Sequence, residues 1–272
     1  MQLATDDGVS LDCSHGKRLG AALVTGGRRG IGRAICADLA ARGFDVAFTD
    51  LHDDEGIEET RALVERSGRR SLFIRNDMTR IADHAALVEE VRDALGPITC
   101  LVNNAGVQVA VRGDLLDVQP AEFDRIFDTN LRGTFFLTQA VAKSMLGDLR
   151  PEGPRSIITI TSANAHLVSP EKGAYGLSKI ALSMAMQAFA LRLAQAQIAV
   201  HEIRPGLIET DMTADVREHY AAGMRSGELC AMRRWGRPED IAGAAGVLAT
   251  GGMPYSTGDI YNVGGGMHIP RL

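Results

Sequence analysis

Seven short apolar runs alternate with stretches of helical period along this chain, and that rhythm is the strongest constraint on its fold. The runs fall at 21–25, 45–49, 71–75, 98–102, 156–161, 199–204 and 259–263. They are apolar on both faces rather than strictly alternating, as strands buried in a parallel sheet are. Helical stretches lie between them at 32–42, 54–67, 82–95, 121–146, 174–195 and 238–249. Parallel neighbours need a crossover, usually a helix. The pattern therefore predicts an α/β fold: one doubly wound parallel sheet of about seven strands with helices on both faces. At 272 residues, 45% of them apolar, the chain is long enough to bury such a core without staples. No linker or repeat interrupts the rhythm, so 19–272 reads as a single domain preceded by a polar extension, 1–18. Only 207–234 departs from it, being mixed in polarity and following a strand. A segment beyond a strand's carboxyl end lies near the ligand crevice of an open sheet, so this one reads as a mobile lid over the substrate.

Composition narrows the partners. The net charge of −5 and the absence of a Lys/Arg-rich run argue against a nucleic-acid surface. No apolar run reaches the ~18 residues that a membrane-spanning helix needs. The first 18 residues lack the apolar centre of a signal peptide. Cys13, Cys36, Cys100 and Cys230 form no CxxC pair and read as reduced thiols of a cytoplasmic protein. No His/Cys/Asp cluster has metal-ligand spacing, so no metal is expected. A small-molecule substrate is the partner that remains.

The first apolar run ends in Thr25-Gly26-Gly27-Arg28-Arg29-Gly30-Ile31-Gly32, just before a helical stretch. Gly26 permits the tight turn, Gly30 lets the backbone approach a pyrophosphate, and Gly32 lets the helix pack closely on the sheet. The helix N-terminus then offers free N–H groups and a positive dipole end to phosphates. The strand-before, helix-after context gives the motif its weight; its spacing is G-x-x-x-G-x-G rather than G-x-G-x-x-G. Asp50 ends the second run, 18 residues after Gly32. A carboxylate there accepts both ribose hydroxyls of NAD and repels a 2′-phosphate. Arg28 and Arg29 pull toward NADP, because a guanidinium near the adenosine pairs with phosphate. Leu51 and His52, next after Asp50, supply no fixed positive charge, so NAD is the favoured cofactor over NADP.

Tyr175 and Lys179 are four apart in a helical stretch and share a face. A free tyrosine, with a pKa of ~10, is a poor base at neutral pH. A nearby ammonium favours the phenolate, and a tyrosine tuned in this way exchanges a proton with a carbonyl or alcohol oxygen as hydride moves. Ser162, at the end of the fifth run, is placed to hydrogen-bond the same oxygen. Asn103-Asn104-Ala105-Gly106 closes the fourth run and suits a loop that braces the sheet and lines the crevice. Asn130 stands in the middle of a long apolar helix. Burying an unpaired amide is costly, so it is expected to bond a backbone group or an ordered water.

With these residues in this order and spacing, together with Pro205-Gly206, the chain resembles the classical short-chain dehydrogenase/reductases over about 19–267, and thus a Rossmann-type fold. Within that family it most resembles bacterial 3-oxoacyl-[acyl-carrier-protein] reductases. The resemblance implies a catalytic tetrad of Asn130, Ser162, Tyr175 and Lys179. It implies that Lys179 also holds the nicotinamide ribose and that Asn130 anchors a water in a proton relay. It places Asp77, followed by Met78, at the adenine amine, and Asn104, Ala105 and Gly106 along the cofactor. It puts Pro205, Gly206, Ile208 and Thr210 over the nicotinamide, with Thr210 on the carboxamide. It also implies a homotetramer.

Gln108, Asn164 and His166 are the candidate substrate residues, and their polarity suits a small polar alcohol or sugar. The alternative is a 3-oxoacyl-[acyl-carrier-protein] reductase. Against it stand Asp50 and an active-site mouth without a basic cluster: Gln195-Ala196-Gln197 is uncharged and 147–155 is of mixed sign, so steering of an acidic carrier would be weak. A third reading is a non-catalytic regulator that senses dinucleotide on the same fold. The helix 174–195 is apolar around much of its circumference, with Ala185 and Ala188 allowing close approach, and is expected to meet a symmetry mate. The tail after Tyr255, with Met267, Ile269 and Leu272, is expected to pack across a second interface.

Overall fold

The computed structural model describes residues 18–148 and 153–270. The extension 1–17 with Cys13, residues 149–152 and Leu272 lie outside the described residues. Seven strands form one sheet: β1 (Ala21–Thr25), β2 (Asp45–Asp50), β3 (Ser71–Arg75), β4 (Ile98–Asn103), β5 (Arg155–Ile160), β6 (Ile198–Pro205) and β7 (Ile260–Val263). Their spatial order is β3-β2-β1-β4-β5-β6-β7, and every pairing is parallel. The order reverses between β1 and β4, so the carboxyl ends of these two strands open a crevice.

The apolar runs fill both faces because each strand feeds two cores. In β1, Ala22 and Val24 pack under α1 (Gly30–Ala41), α2 (Glu55–Arg66) and, nearer β5, α8 (Pro238–Ala249). Ala21 and Leu23 point the other way, toward α3 (His84–Leu95), α5 (Thr134–Gly147) and α6 (Gly173–Leu193). Local chemistry sets helix starts: Asp54 caps α2 by accepting the Gly56 N–H at 3.0 Å, and Pro238 opens α8.

The single helix expected at 121–146 is instead α4 (Pro120–Phe127), a π-helical turn (Asp128–Gly133) and α5. Two tertiary contacts explain the break. Asn130 is drawn toward the loop after β4, and Gly133 lies so close to the Met78 carbonyl that a Cβ would not fit. Helical propensity yields to these, and such turns often mark functional sites. The segment 207–234 holds a 3₁₀ turn (Asp211–Val216) and α7 (Arg217–Ser226). Its ends are tied by Glu209 N–H to the Gly236 carbonyl (2.8 Å) and Gly236 N–H to the Leu207 carbonyl (2.9 Å).

Candidate active site

The crevice is a cleft of about 670 Å³ running across the carboxyl ends of the strands. At its centre the ends of β1 and β4 are stitched together. The Thr25 hydroxyl accepts the N–H groups of Asn104 and Ala105, each at 3.0 Å, and the Asn104 side chain donates to the carbonyls of Thr25 (2.9 Å) and Gly26 (3.0 Å). Asn103 braces instead of lining: its amide donates to Thr138 (2.9 Å) and Thr159 (3.1 Å) beneath the sheet. Gly26 and Gly30 adopt positive φ, +66° and +54°. A Cβ on Gly32 would strike the Gly26 carbonyl and come within 2.6 Å of the Asn104 amide nitrogen, so only glycine lets α1 start this close to the turn. No side chain caps α1, and Gly26, Arg28, Arg29, Gly30, Ile31 and Gly32 all line the cleft. The uncapped first-turn N–H groups fit a diphosphate.

Asp50 ends β2 on the same cleft. Its carboxylate accepts the His52 N–H at 3.1 Å and Arg28 Nε at 3.3 Å. Arg28 also reaches Asp54 at 2.5 Å, so two carboxylates hold it. Arg29 turns away to Asp211 at 2.8 Å, an ion pair between the glycine loop and the segment beyond β6. Neither arginine is therefore a free cation beside Asp50. Asp77 uses one oxygen to hold its own turn, accepting from the Thr79 N–H (2.9 Å) and hydroxyl (2.8 Å). Asp77 and Met78 line the cleft, as do Ala105, Gly106, Pro205, Gly206, Ile208 and Thr210.

At the other end, Ser162 lies two residues past β5 and accepts the Asn164 N–H at 3.1 Å, and its hydroxyl is near enough to Tyr175 to lower the phenol's pKa. Tyr175 and Lys179 occupy the first turns of α6, and Lys179 Nζ lies 5.7 Å from the Tyr175 ring centroid. Nζ also donates to the Ile160 carbonyl at 3.2 Å. Both groups are buried, at 7% and 4% exposure. Burial pushes the Lys179 pKa down to about 8, with the buried Glu202 carboxylate opposing. Burial also raises the Tyr175 pKa, against a smaller lowering by the Ser162 hydroxyl. This corrects the expectation that the phenol sits below its ordinary value in the free protein: desolvation by burial outweighs the lowering by the Ser162 hydroxyl.

Asn130, fully buried, is bonded to backbone as expected. Its Oδ1 accepts the Val107 N–H (2.8 Å), and its amide donates to the Val107 carbonyl (2.9 Å) and Ser178 Oγ (3.1 Å). Ser178 in turn donates to the Tyr175 carbonyl at 2.7 Å. A Cβ on Gly106 would be 3.1 Å from Asn130 Oδ1 and 3.4 Å from Lys179 Nζ, so the three residues meet at one point. The arrangement brings a serine hydroxyl and a tyrosine hydroxyl to one spot on the cleft wall with an ammonium behind them. It can bind a carbonyl or alcohol oxygen and exchange a proton with it.

Gln108 and Asn164 line the cleft. His166 does not: it is exposed, and the 3₁₀ turn Ala163–Ala165 aims Asn164 inward and His166 outward. Met267, expected at an interface, lines the cleft instead, because the chain after β7 turns back over Gly206. Sequence reasoning missed Arg112, Lys172 and Tyr220, which also line the cleft. Lys172, three residues before Tyr175, carried a spacing signal; Arg112 and Tyr220 reach the cleft only through loop and lid geometry.

Residues 26–268 match the family model described as enoyl-(acyl carrier protein) reductase. L-2,3-butanediol dehydrogenase of Corynebacterium glutamicum is 34% identical over 256 residues, 90% of this chain and 97% of that protein. A 3-oxoacyl-[acyl-carrier-protein] reductase of Staphylococcus epidermidis is 31% identical over 248 residues, 91% of this chain and 98% of that protein. A crystal structure of 3-oxoacyl-[acyl-carrier protein] reductase from Brucella melitensis in complex with NAD superposes with a TM-score of 0.89 at 46% identity. It covers 94% of this chain and 100% of its own. The glycine loop, the parallel sheet and these relatives converge: the chain belongs to the classical short-chain dehydrogenase/reductase family and is an NAD(P)-dependent oxidoreductase.

Proposed function

We propose that this protein is an NAD-linked dehydrogenase of a small polar alcohol or sugar, with Tyr175 as its acid/base. The observation that carries the reading is the meeting of Ser162, Tyr175 and Lys179 on the cleft wall, with Asp50 at the far end. The bound nicotinamide supplies hydride acceptance and donation. Tyr175, as phenolate, takes the proton of the substrate hydroxyl, and returns it in the reverse direction. Ser162 donates a hydrogen bond to the same oxygen. Lys179 holds the nicotinamide ribose and places positive charge behind the phenol. Asn130 fixes the loop through Val107 and anchors the water of the relay. Gly26 and Arg28–Gly32 hold the diphosphate, Asp77 and Met78 the adenine, and Thr210 the carboxamide.

Support for NAD over NADP comes from Asp50, whose carboxylate faces the cleft while Arg28 is held by two acids and Arg29 by a third. The reading further assigns a cytoplasmic protein, a single domain from residue 19 onward, a lid at 207–234 and a homotetramer. A 3-oxoacyl reductase is the second reading, favoured by the 46% identity to the Brucella melitensis protein. The test is turnover of the purified protein with sugars, polyols, hydroxy acids and 3-oxoacyl thioesters, each with both cofactors, followed by absorbance of the reduced nicotinamide. Preference for a polar alcohol with NAD is expected; preference for the thioester with NADPH overturns the reading.

A further inference from the structure

The substrate end of the cleft carries positive charge that the hydride-transfer chemistry does not use. Lys172 is buried to 7% exposure in the short turn that leads into α6, three residues before Tyr175. Arg112 lies in the loop after β4. That loop and the Lys172 turn adjoin, because Leu115 fills the space where Gly173 has no side chain. Both cations line the cleft. Arg112 Nη1 is steadied by the Tyr220 hydroxyl of α7 at 3.2 Å, a neutral partner. The two cations feel each other: Arg112 adds to burial in lowering the Lys172 pKa, and only the neighbouring Glu171, itself exposed, opposes.

Among the described residues, no carboxylate lines this end of the cleft; Glu171, next to Lys172, is exposed and is not part of the lining. Of the acids that line the cleft, Asp50 ends β2 and Asp77 follows β3, across the switch point from the β4 and β5 loops. Asp211 is paired with Arg29. Two like charges sharing a half-buried site repel each other, and an anion between them relieves both the repulsion and the desolvation. Beside them the side-chain oxygen of Gln108 is buried without a hydrogen-bond partner, an acceptor set for a hydroxyl. Neutral polyols would leave the charge pair unanswered.

We propose that Lys172 and Arg112 form an anion subsite and that the substrate is a short hydroxy acid, oxidised to the oxo acid with its carboxylate between these two cations. This rests on the dehydrogenase reading above. The hydroxyl proton passes to Tyr175, the carbinol hydrogen leaves as hydride to NAD, and the carboxylate keeps its charge throughout. Lys172 stands one turn from Tyr175, so the carboxylate lies within a few carbons of the reacting carbon. Gln108 accepts a bond from a further substrate hydroxyl.

The test separates binding from turnover. Calorimetric titration of the enzyme–NAD complex with malonate, inorganic phosphate and glycerol reads the subsite without any reaction. Malonate is expected to bind and glycerol not. Lys172→Met and Arg112→Met are each expected to weaken malonate roughly ten- to a hundredfold, the loss typical of one charge-assisted hydrogen bond. Lys172→Arg should retain most of the affinity, with NAD binding reporting that each variant is folded. Malonate binding no tighter than glycerol, or unchanged in the Met variants, overturns the subsite. Phosphate binding tighter than malonate reassigns it to a phosphate ester and overturns the hydroxy acid, as does a higher kcat/KM for neutral polyols than for any hydroxy acid. Malonate binding that survives with no turnover of any alcohol overturns the dehydrogenase reading and leaves the subsite standing.

Discussion

Tyr175 and Lys179 share one desolvated corner, and burial drives both toward their neutral forms: the phenol upward, the amine down to about 8. Alcohol oxidation needs the phenolate, so its kcat/KM should rise with pH through an alkaline limb that reports the free enzyme. The Ser162 hydroxyl lowers the phenol's pKa. Ser162→Ala should therefore shift that limb to higher pH as well as lower its plateau; a limb that stays in place would refute the contact's role. Tyr175→Phe keeps the ring and removes the proton-transferring atom. Its turnover should fall by ~10² or more while NAD still binds, checked by steady-state kinetics beside a binding titration. Asp50→Ala removes the proposed ribose acceptor and also frees Arg28 from one of its two acids. The NAD-over-NADP ratio in kcat/KM should shrink by about tenfold, the effect of losing one charged contact. A native preference for NADP would show that the arginines decide the cofactor.

The π-helical turn between α4 and α5 carries a fully buried polar side chain: Asn130, at zero exposure, bonds both backbone groups of Val107. The turn rotates Asn130 out of the α-helical register and toward the loop that holds Gly106 and Gln108. Asn130→Ala strands the Val107 N–H and carbonyl. It should destabilise the protein by about 1–3 kcal/mol, the penalty for an unpaired buried polar group, and be seen as a lower midpoint in thermal or urea unfolding. An unchanged midpoint would mean that water replaces the amide at no loss. The glycine loop behaves differently, since its constraint is steric: Gly32 gives α1 the room to begin beside the Gly26 carbonyl.

Across the whole molecule, α6 divides its faces. Tyr175, Ser178, Lys179, Leu182 and Met186 face the site and the sheet. Leu177, Ile180, Met184, Ala188 and Leu191 form an exposed stripe at helical spacing. With its flanking turns, Pro170–Ala196 has the length and composition of a membrane span. Its other side is nonetheless built into the core beneath β5 and β6 and bears the buried Lys172 and Lys179. A stripe of this kind on a helix built into the core suits an isologous contact. Light scattering should give a tetrameric mass, and Met184→Asp should lower it; a monomer at micromolar concentration would refute the interface.

Periodicity alone determined the seven strands, because a strand buried on both faces must be apolar on both, and Ala21 through Val24 show this residue by residue. Spacing alone determined which residues meet at the cofactor loop and in the Tyr175–Lys179 pair, since a strand-end turn and a helical i, i+4 relation are local. What lay far apart in the chain was decided by the tertiary structure. The expected helix at 121–146 breaks because Asn130 and Gly133 answer to Val107 and Met78, partners more than 20 residues away. His166 points outward because one 3₁₀ turn reverses the chain after Ser162. The direction of the Tyr175 shift follows from burial, which no window of sequence encodes. Arg112, Lys172 and Tyr220 come together from a loop, a turn and a helix 108 residues apart at the extremes. Their shared charge environment exists only once the sheet has brought those segments to one end of the cleft.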